Sequence, residues 1–395
     1  MTDLILVLNA GSSSLKFSVF EPSGRAGVDP VERARGQVEK LETSPRLQVA
    51  IGDGLNLESD LDNRSEGGHE AALHAVLDLL SEHFSDVRFP VVGHRIVHGG
   101  PDRVEGVVLD EATVRDLETL APLAPLHQTH NLAGVALAAQ VFPDAIQVGC
   151  FDTSFHRGHP WVNDVFAIPR KFYDRGVRRY GFHGLSYDYI SDRLRQVAPL
   201  LHEGRVIVAH LGNGASMCGL VQGRSVASTM GFSALDGLPM GTRCGQLDPG
   251  VVLYLLRQEG LSADELSEML YRQSGLLGLS GISRDMRTLM GSDAHEAAEA
   301  LEYYVFRARR ELGGLAAALG GLDAVVFTGG VGENSALMRQ RICEGMTWIG
   351  IELDRAANSE NAQLISSSLS RVRVLVIPTN EELVVARAAV RILAS

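Results

Sequence analysis

The chain carries the same strand–turn–strand pattern twice, and this repetition constrains its fold more than any other feature. The first copy has an apolar strand at 4–8, the turn NAGSSS and a second strand. The second copy has a strand at 206–210, a glycine-containing turn and two further strands. Each half later holds a strand that ends in a double glycine, at 99–100 and at 329–330. The sequence therefore predicts a duplicated α/β protein.

The length of the chain predicts two domains. A chain of 395 residues exceeds one ordinary core, since domains average roughly 150 residues. We expect an N-terminal domain over 1–152, joined by a C-terminal helix at 383–395, and a second domain over 153–382.

Helices should cover the sheets, and two stretches should lie outside them. Apolar spacing and capping residues predict helices at 69–83, 129–141, 262–272 and 293–319. Stretches rich in glycine, proline and charge at 22–36 and 52–68 are predicted to be exposed excursions without a chemical role.

Composition narrows the class of ligand. The formal net charge of -12 opposes non-specific binding to nucleic acid or anionic lipid, so we expect neither as a partner. The 4 cysteines have no C-x-x-C spacing, which argues against a zinc site or a disulfide framework. The apolar run at the N-terminus is too short for a signal peptide or a membrane span. We predict a cytoplasmic protein whose anionic ligands are small.

The turn from Asn9 to Lys16 has the composition of a phosphate-binding turn. Ser12 and Ser14 offer hydroxyl and backbone N–H donors, and Lys16 offers a positive charge. Serine-glycine turns also commonly just join strands, so turn chemistry alone leaves both interpretations open. The sequence has no Walker motif and no G-x-G-x-x-G opening a helix, so nucleotide phosphates would have to lie on hairpin turns.

Nine motifs resemble those of the acetate kinase family, in the same order and spacing and over essentially the whole chain. They are NAGSSSLK, GHRIVHGG, CFDTSFH, RRYGFHGLS, HLGNGAS, TMGFSALDGLPMGTRCG, SRDMR, GGVGENS and PTNEEL. The resemblance implies a duplicated actin-like ATPase (ribonuclease H-like) fold with two domains around a central cleft. It also implies reversible transfer of the γ-phosphoryl group of ATP to acetate, giving acetyl phosphate and ADP, in a homodimer that uses Mg²⁺, or Mn²⁺ in its place.

The resemblance assigns four catalytic residues. Arg95 and Arg243 match the arginines that contact acetate and the phosphoryl group, and guanidinium groups suit both anions. His183 matches a hydrogen-bond donor to the phosphoryl group in the transition state. Asp152 matches an aspartate that orients an arginine or helps to place the metal. A carboxylate nucleophile has no proton to lose, so cationic donors matter more here than a general base.

The resemblance also assigns a magnesium site to Asn9 and Glu381, whose oxygen atoms suit a hard cation. The neighbouring Glu382 could exchange roles with Glu381, and the sequence leaves that choice open. The histidine pairs at 94 and 98 and at 127 and 130 are not expected to bind a metal.

Three segments match the family's nucleotide-binding segments, with backbone donors expected to predominate in the first and third. They are His210, Leu211, Gly212, Asn213 and Gly214; Asp285, Met286 and Arg287; and the glycine turn Gly330, Val331, Gly332, Glu333 and Asn334. A salt bridge at a helix start is the alternative interpretation of Asp285 and Arg287.

The acyl pocket should be small and apolar, and the resemblance assigns it to Arg95, Val97, Leu126 and Phe182. At Ala234 the best-known members of the family carry proline as a pocket wall. A smaller residue there leaves propionate or butyrate kinase open as an alternative. An ATP-driven binding protein of the actin or chaperone type is the alternative from another functional class.

Overall fold

The computed structural model describes residues 2–10, 14–25, 27–39, 41, 45–52, 54–61, 68–84, 87–124 and 127–394. They form two units. Unit 1 comprises residues 1–157 together with 380–395, and unit 2 comprises residues 158–379. The C-terminal segment therefore returns to the unit in which the chain begins.

Unit 1 contains an eight-stranded sheet in the order β5-β4-β3-β2-β1-β6-β8-β7. Its strands are β1 (Thr2–Ala10), β2 (Ser14–Glu21), β3 (Val31–Glu39), β4 (Arg46–Ile51), β5 (Leu55–Asp60), β6 (Val87–Ile96), β7 (Val107–Val108) and β8 (Ile146–Phe151). Its helices are α1 (Gly68–His83), α2 (Glu111–Glu118), α3 (Gln128–Val141) and the C-terminal α16 (Glu381–Leu393).

Strand β1 is the centre of this sheet because its residues are apolar on both faces. Leu4, Leu6 and Leu8 join one buried cluster with side chains of α1 and with Ala138 of α3. Ile5 and Val7 are also fully buried, and they point to the opposite face because side chains alternate along a strand. Helices thus cover both faces, and α16 packs against β1, β6 and β8.

The described residues of the two stretches predicted as exposed excursions are mostly exposed, but they are not excursions from the sheet, because each stretch contains part or all of a strand. Strand β3 pairs with β2 and β4 along its length, and β5 pairs with β4. The sequence of β3, VERARGQVE, is mostly polar and therefore gives a weak strand signal. Its residues Ala34 and Val38 are nevertheless buried, at 2% and 0% exposure. A strand of an antiparallel sheet that has one solvated face needs few apolar residues, even when it is paired on both sides.

Unit 2 contains a five-stranded sheet in the order β11-β10-β9-β12-β13. Its strands are β9 (Arg205–Leu211), β10 (Ala215–Val221), β11 (Arg224–Ser228), β12 (Ala324–Thr328) and β13 (Arg373–Val376). Its helices are α4 (Trp161–Asp164), α5 (Lys171–Asp174), α6 (Gly184–Val197), α7 (Pro199–His202), α8 (Pro249–Arg257), α9 (Ala263–Arg272), α10 (Gly275–Ser280), α11 (Met286–Met290), α12 (His295–Ala318), α13 (Gly329–Asn334), α14 (Ala336–Cys343) and α15 (Arg355–Ser359).

The two sheets share one topology, which confirms the predicted duplicated α/β fold. The run β3-β2-β1-β6-β8 in unit 1 corresponds to β11-β10-β9-β12-β13 in unit 2. In each run the first three strands are antiparallel, and the last two are parallel to the third. Functional groups are expected at the carboxyl ends of such parallel strands.

The described part of the chain has no helix that is both long enough and apolar enough to cross a bilayer.

Candidate active site

The Arg95 side chain is the centre of a polar cluster in unit 1. Its Nε and Nη2 atoms donate to the two carboxylate oxygens of Asp152 at 3.0 and 2.6 Å. Its Nη1 atom donates to Asn9 Oδ1 at 3.2 Å, and Glu381 Oε2 lies 3.4 Å from its Nε. Three of the predicted site residues therefore meet around the guanidinium group of a fourth.

The sheet topology places these residues together although they are far apart in sequence. Asn9 lies near the carboxyl end of β1, opposite Lys16 on β2. Arg95 lies near the carboxyl end of β6, and the backbone N–H of Asp152, just beyond β8, donates to Ile96 O at 3.0 Å. Because β1, β6 and β8 are parallel, their carboxyl ends meet at one edge of the sheet.

Glu381 reaches the cluster from the first turn of α16. Asn380 caps this helix by accepting the backbone N–H of Leu383 at 2.9 Å. The acidic pair Glu381 and Glu382 is also favoured there, because a helix N-terminus carries a partial positive charge.

The cluster is rich in negative charge, and this shifts the pKa values of its members. Burial, offset in part by Arg95 and reinforced by Glu381, raises the pKa of Asp152 to about 6. Burial and the neighbouring Glu381 raise the pKa of Glu382. Burial opposes the charge on Arg95, but Asp152 and Glu381 outweigh it and raise the pKa of that guanidinium. The carboxylates exceed the cations, so this edge of the sheet favours an additional cation.

The donor set of the cluster fits a magnesium ion. Asn9, Asp152 and Glu381 offer only amide and carboxylate oxygens, which are the ligands that Mg²⁺ prefers. Among the described residues, no group of three or more His, Cys, Asp and Glu side chains is arranged to hold a metal by itself. A hard cation that keeps several waters and borrows phosphate oxygens needs no such cage.

The structure describes three of the five other residues that were predicted for the site in unit 1. Ser14 begins β2, and the exposed Lys16 lies on the same strand. Val97 is buried at 5% exposure directly after β6. Ser12 and Leu126 lie outside the described residues.

Sequence reasoning missed Asn131, a buried residue in the first turns of α3. Its Oδ1 accepts the backbone N–H of Val97 at 2.9 Å, and its Nδ2 donates to Ala10 O at 2.6 Å. It thereby ties the segment after β6 to the end of β1. The sequence signal for Asn131 was an amide residue among the apolar residues of a predicted helix. The same pattern is also typical of an exposed residue, so it did not indicate a buried role.

Two stacked histidines lie among the predicted residues of unit 2. The rings of His183 and His210 have centroids 4.3 Å apart and an interplanar angle of 21°. His183 precedes α6 with left-handed backbone angles, φ 56° and ψ 24°. The neighbouring Phe182 is buried at 2% exposure. The HLGNG segment and the YGFHG segment therefore meet, as the predicted roles require.

The loop that carries Arg243 is tied to the same region. Arg243 Nη1 donates to the carbonyl oxygen of Ala234 at 2.9 Å, so the predicted pocket position contacts this arginine directly. The backbone N–H of Gly241 donates to Asn213 O at 3.3 Å. The predicted phosphoryl-binding loop and the first nucleotide segment thus share a hydrogen bond.

The third nucleotide segment is a short helix, α13, and not the glycine turn that the sequence predicted. The Glu333 side chain closes this helix, because its Oε1 accepts the N–H of Gly329 at 2.8 Å and the hydroxyl of Thr328 at 3.3 Å. Asn334 Nδ2 donates back to Gly330 O at 2.9 Å. These side-chain hydrogen bonds stabilise the helix, and the Glu333 carboxylate accepts from the residues at its N-terminus.

The second nucleotide segment forms a salt bridge at a helix start, which is the alternative interpretation of its two charged residues. Asp285 caps α11 by accepting the N–H of Arg287 at 2.8 Å, and it pairs with the Arg287 guanidinium at 2.7 Å. Arg287 itself is mostly exposed, and Met286 is buried. A nucleotide role for this segment stays a prediction.

Comparisons with known proteins show the family to which the chain belongs. Residues 4–387 match the model of the acetokinase family. The chain belongs to the acetokinase family. It is 54% identical to an acetate kinase of Methylocella silvestris, over 98% of this chain and 97% of that protein. It is also similar to the crystal structure of the Porphyromonas gingivalis acetate kinase, with 36% identity, a TM-score of 0.85 and coverage of 99% of this chain and 100% of that one.

A propionate kinase is among the similar structures as well. The crystal structure of the enzyme from Francisella tularensis has 34% identity, a TM-score of 0.90 and coverage of 98% of this chain and 99% of that one. Family membership confirms the predicted fold class and the predicted activity, the phosphorylation of acetate by ATP.

The histidine next to Arg95 belongs to the protein interior. His94 is 3% exposed, and its Nε2 lies 2.8 Å from Gln147 Oε1. Burial lowers its pKa from 6.5 to about 4, against a smaller opposing effect of the Gln147 hydrogen bond. His94 therefore stays neutral within the folded sheet at neutral pH.

We predict that His94 makes the protein sensitive to mild acid. The pKa of His94 is lower in the folded state, so the unfolded chain takes up the proton first as the pH falls below 6.5. Its contribution to stability is complete above that pH and is lost on the way to pH 4, by about 2 kcal/mol between pH 7 and pH 5. The measurement is the free energy of unfolding in urea at both pH values.

The variant His94→Gln keeps a donor toward Gln147 and cannot titrate, so its stability should fall by about 2 kcal/mol less than that of the wild type over the same interval. His295 is highly exposed, and His295→Gln should follow the wild type. Equal losses in the wild type and in His94→Gln would contradict the prediction.

Proposed function

We propose that this member of the acetokinase family transfers the γ-phosphoryl group of ATP directly to the carboxylate of acetate, giving acetyl phosphate and ADP. The observation that supports the proposal best is the Arg95 cluster. Its guanidinium is held by Asp152 and Asn9 and has one further carboxylate, that of Glu381, beside it. Such a group is fixed in place before any anion arrives, so little reorganisation is needed during transfer.

In unit 1, Asp152 acts as the residue that orients Arg95. Both of its carboxylate oxygens accept from the guanidinium, so neither is directed toward an acetate hydroxyl proton, and acetate at neutral pH has none to give. Arg95, held in place by Asp152, then binds the carboxylate of acetate and the transferred phosphoryl group. Val97, Leu126 and Phe182 stay the residues predicted to contact the methyl group of acetate.

Asn9 and Glu381 are the proposed magnesium ligands, with Glu382 as the neighbour that could take the place of Glu381. A bound Mg²⁺ would neutralise charge on the nucleotide phosphates. Burial is the main cause of the raised pKa of Asp152 and of Glu382, and the neighbouring Glu381 adds to it, so a cation bound here would offset repulsion among these carboxylates. Ser12, Ser14 and Lys16 would contact phosphate oxygens from the first hairpin.

In unit 2, Arg243 and His183 supply the donors to the transferred group. The two segments that hold them are joined through the 210–214 turn, by the hydrogen bond of Gly241 to Asn213 and by the His183–His210 stack. The backbone of the first and third nucleotide segments, 210–214 and 330–334, would bind the nucleotide together with the second segment, Asp285, Met286 and Arg287.

Propionate or butyrate phosphorylation is the alternative within the same chemistry. Ala234 is smaller than the proline of the best-known family members, and the similarity to a propionate kinase structure is as close as that to an acetate kinase structure. An ATP-driven binding protein is the less favoured alternative, because it has no use for a prepositioned arginine in an acyl site. A homodimer and a cytoplasmic location remain predictions.

A hydroxamate assay tests the proposed function. The full-length protein is mixed with MgATP, hydroxylamine and acetate, propionate or butyrate, and the acyl hydroxamate formed is measured. We expect carboxylate-dependent product with acetate preferred. In Arg243→Ala, loss of a charged donor to the transferred group should lower kcat by about 100-fold or more. The free energy of unfolding should change by about 1 kcal/mol or less, because this arginine is only partly buried.

Arg272 on α9 is a matched control, since it is exposed and belongs to the same unit. Arg272→Ala should keep its rate within about twofold of the wild type. ATP hydrolysis that does not depend on a carboxylate and gives no hydroxamate would refute the proposal in favour of the binding-protein alternative. A maximum with propionate would favour the propionate kinase alternative.

We predict that Ala234→Pro narrows the acyl specificity. Proline keeps the carbonyl that accepts from Arg243, so the arginine retains its contact while the pocket wall grows. The ratio of kcat/KM for acetate over that for propionate should rise by about 10-fold, the usual value of one methylene group. An unchanged ratio would show that residue 234 does not border the acyl group.

A further inference from the structure

Each of the two stacked histidines in unit 2 has its Nδ1 atom on a buried serine hydroxyl. His183 Nδ1 lies 2.8 Å from Ser216 Oγ, and His210 Nδ1 lies 2.8 Å from Ser186 Oγ. Both serines are 0% exposed. Each serine in turn contacts a second hydroxyl. Two series of hydrogen bonds, each running from histidine to serine to a second hydroxyl, therefore support the stacked rings.

In the series that begins at His183 the second hydroxyl is that of Tyr187, which makes a short hydrogen bond with Ser216 Oγ. Tyr187 is 0% exposed and lies one turn into α6, the helix that His183 precedes. Strand β10 carries Ser216, and residues from two different elements therefore fix one imidazole ring.

We propose that Ser216 and Tyr187 are positioning residues that hold His183 in the tautomer with its proton on Nε2, and this inference rests on the proposed function of His183 as a donor. A phenol is a stronger acid than an aliphatic alcohol, so Tyr187 donates to Ser216. The single proton of Ser216 is then directed to His183 Nδ1. A neutral imidazole that accepts at Nδ1 carries its proton on Nε2.

The Nε2 atom faces the glycine turn of the HLGNG segment. A methyl group built on Gly214 would lie 3.0 Å from His183 Nε2 and 3.1 Å from Arg243 Nη2. Glycine at this position thus leaves room for both side chains at one point of the turn. A protonated Nε2 beside the guanidinium offers two converging donors to an anion, as transfer of a phosphoryl group requires.

The backbone of His183 restricts the ring further. A left-handed conformation is costly for a residue with a Cβ atom and persists only where the surroundings hold it. Here the His183 carbonyl accepts the N–H of Tyr187 at 3.1 Å, in the first turn of α6. The same tyrosine therefore binds the backbone of His183 and, through Ser216, its side chain.

The series of hydrogen bonds that begins at His210 extends to the third nucleotide segment. Ser186 Oγ lies 2.9 Å from Thr379 Oγ1, and the backbone N–H of Thr379 donates to Glu333 Oε1 at 3.1 Å. The His210 ring, which stacks on His183, is thus connected to α13 through hydrogen bonds of Ser186 and Thr379. This second series gives the stack a rigid support, which an isolated imidazole would lack.

Nuclear magnetic resonance tests the tautomer without relying on activity. The full-length protein is labelled with ¹⁵N-histidine, and the signals of His183 are assigned by their absence in His183→Gln. We expect the nitrogen shifts and couplings of a neutral ring protonated at Nε2 in the wild type. A ring protonated at Nδ1 in the wild type would overturn the proposal, whether or not the protein phosphorylates acetate.

Kinetics of two variants test the role of the two hydroxyl groups. Tyr187→Phe removes only the oxygen that donates to Ser216, and Ser216→Ala removes the contact to the ring. We expect the proton of His183 to move toward Nδ1 and kcat to fall by about 10-fold in both, while KM for ATP and acetate changes by less than about twofold. Tyr187→Phe keeps the test decisive if Ser216→Ala does not fold.

Ser225→Ala is the matched control, because Ser225 is a buried serine whose hydroxyl lies 2.7 Å from another histidine, His159 Nε2. It should keep kcat within about twofold of the wild type. An unchanged tautomer and an unchanged kcat in Tyr187→Phe would overturn the proposal. Failure of the proposed function would instead appear as a wild type that forms no hydroxamate.

Discussion

The fold and the proposed chemistry both depend on one charged interaction, the pairing of Arg95 with Asp152 at the edge of the first sheet. Asp152 is almost completely buried, so its charge is tolerated only because the guanidinium lies against it. The members of the cluster come from β1, from β6, from the residue after β8 and from the C-terminal helix. The return of the chain to unit 1 at residue 380 brings Glu381 to within 3.4 Å of Arg95.

The excess of carboxylates in this cluster is consistent with the proposed phosphoryl transfer. Its surplus of negative charge would attract a magnesium ion in the proposed function. Within unit 1 the cluster joins acidic side chains to Arg95, and within unit 2 Arg243 and the two stacked histidines belong to connected segments. Charge neutralisation and positioning are what a carboxylate nucleophile needs, since it has no proton to remove.

Local patterns in the sequence predicted much of the fold. The apolar run of β1, the repeated hairpin and the double glycines were sufficient for the duplicated topology, because central strands and tight turns have strong local signatures. Strand β3 was missed since its partners on both sides supply the stability that its own residues lack. The side-chain contacts of Asn131, Glu333 and Ser216 could not be predicted, because each joins segments whose proximity only the folded chain establishes. The motif resemblance named the predicted site residues but gave no information on the hydrogen bonds that orient them.

A double-mutant cycle on Arg95 and Asp152 measures the dependence of one residue on the other most directly. Values of kcat/KM for acetate are measured in the wild type, Asp152→Asn, Arg95→Lys and the double variant. If Asp152 acts by orienting the Arg95 guanidinium, the substitution at 152 should cost about 100-fold in the wild type and less than about 5-fold once residue 95 is lysine. Equal losses in the two backgrounds would show that Asp152 acts independently of Arg95 and does not orient its guanidinium.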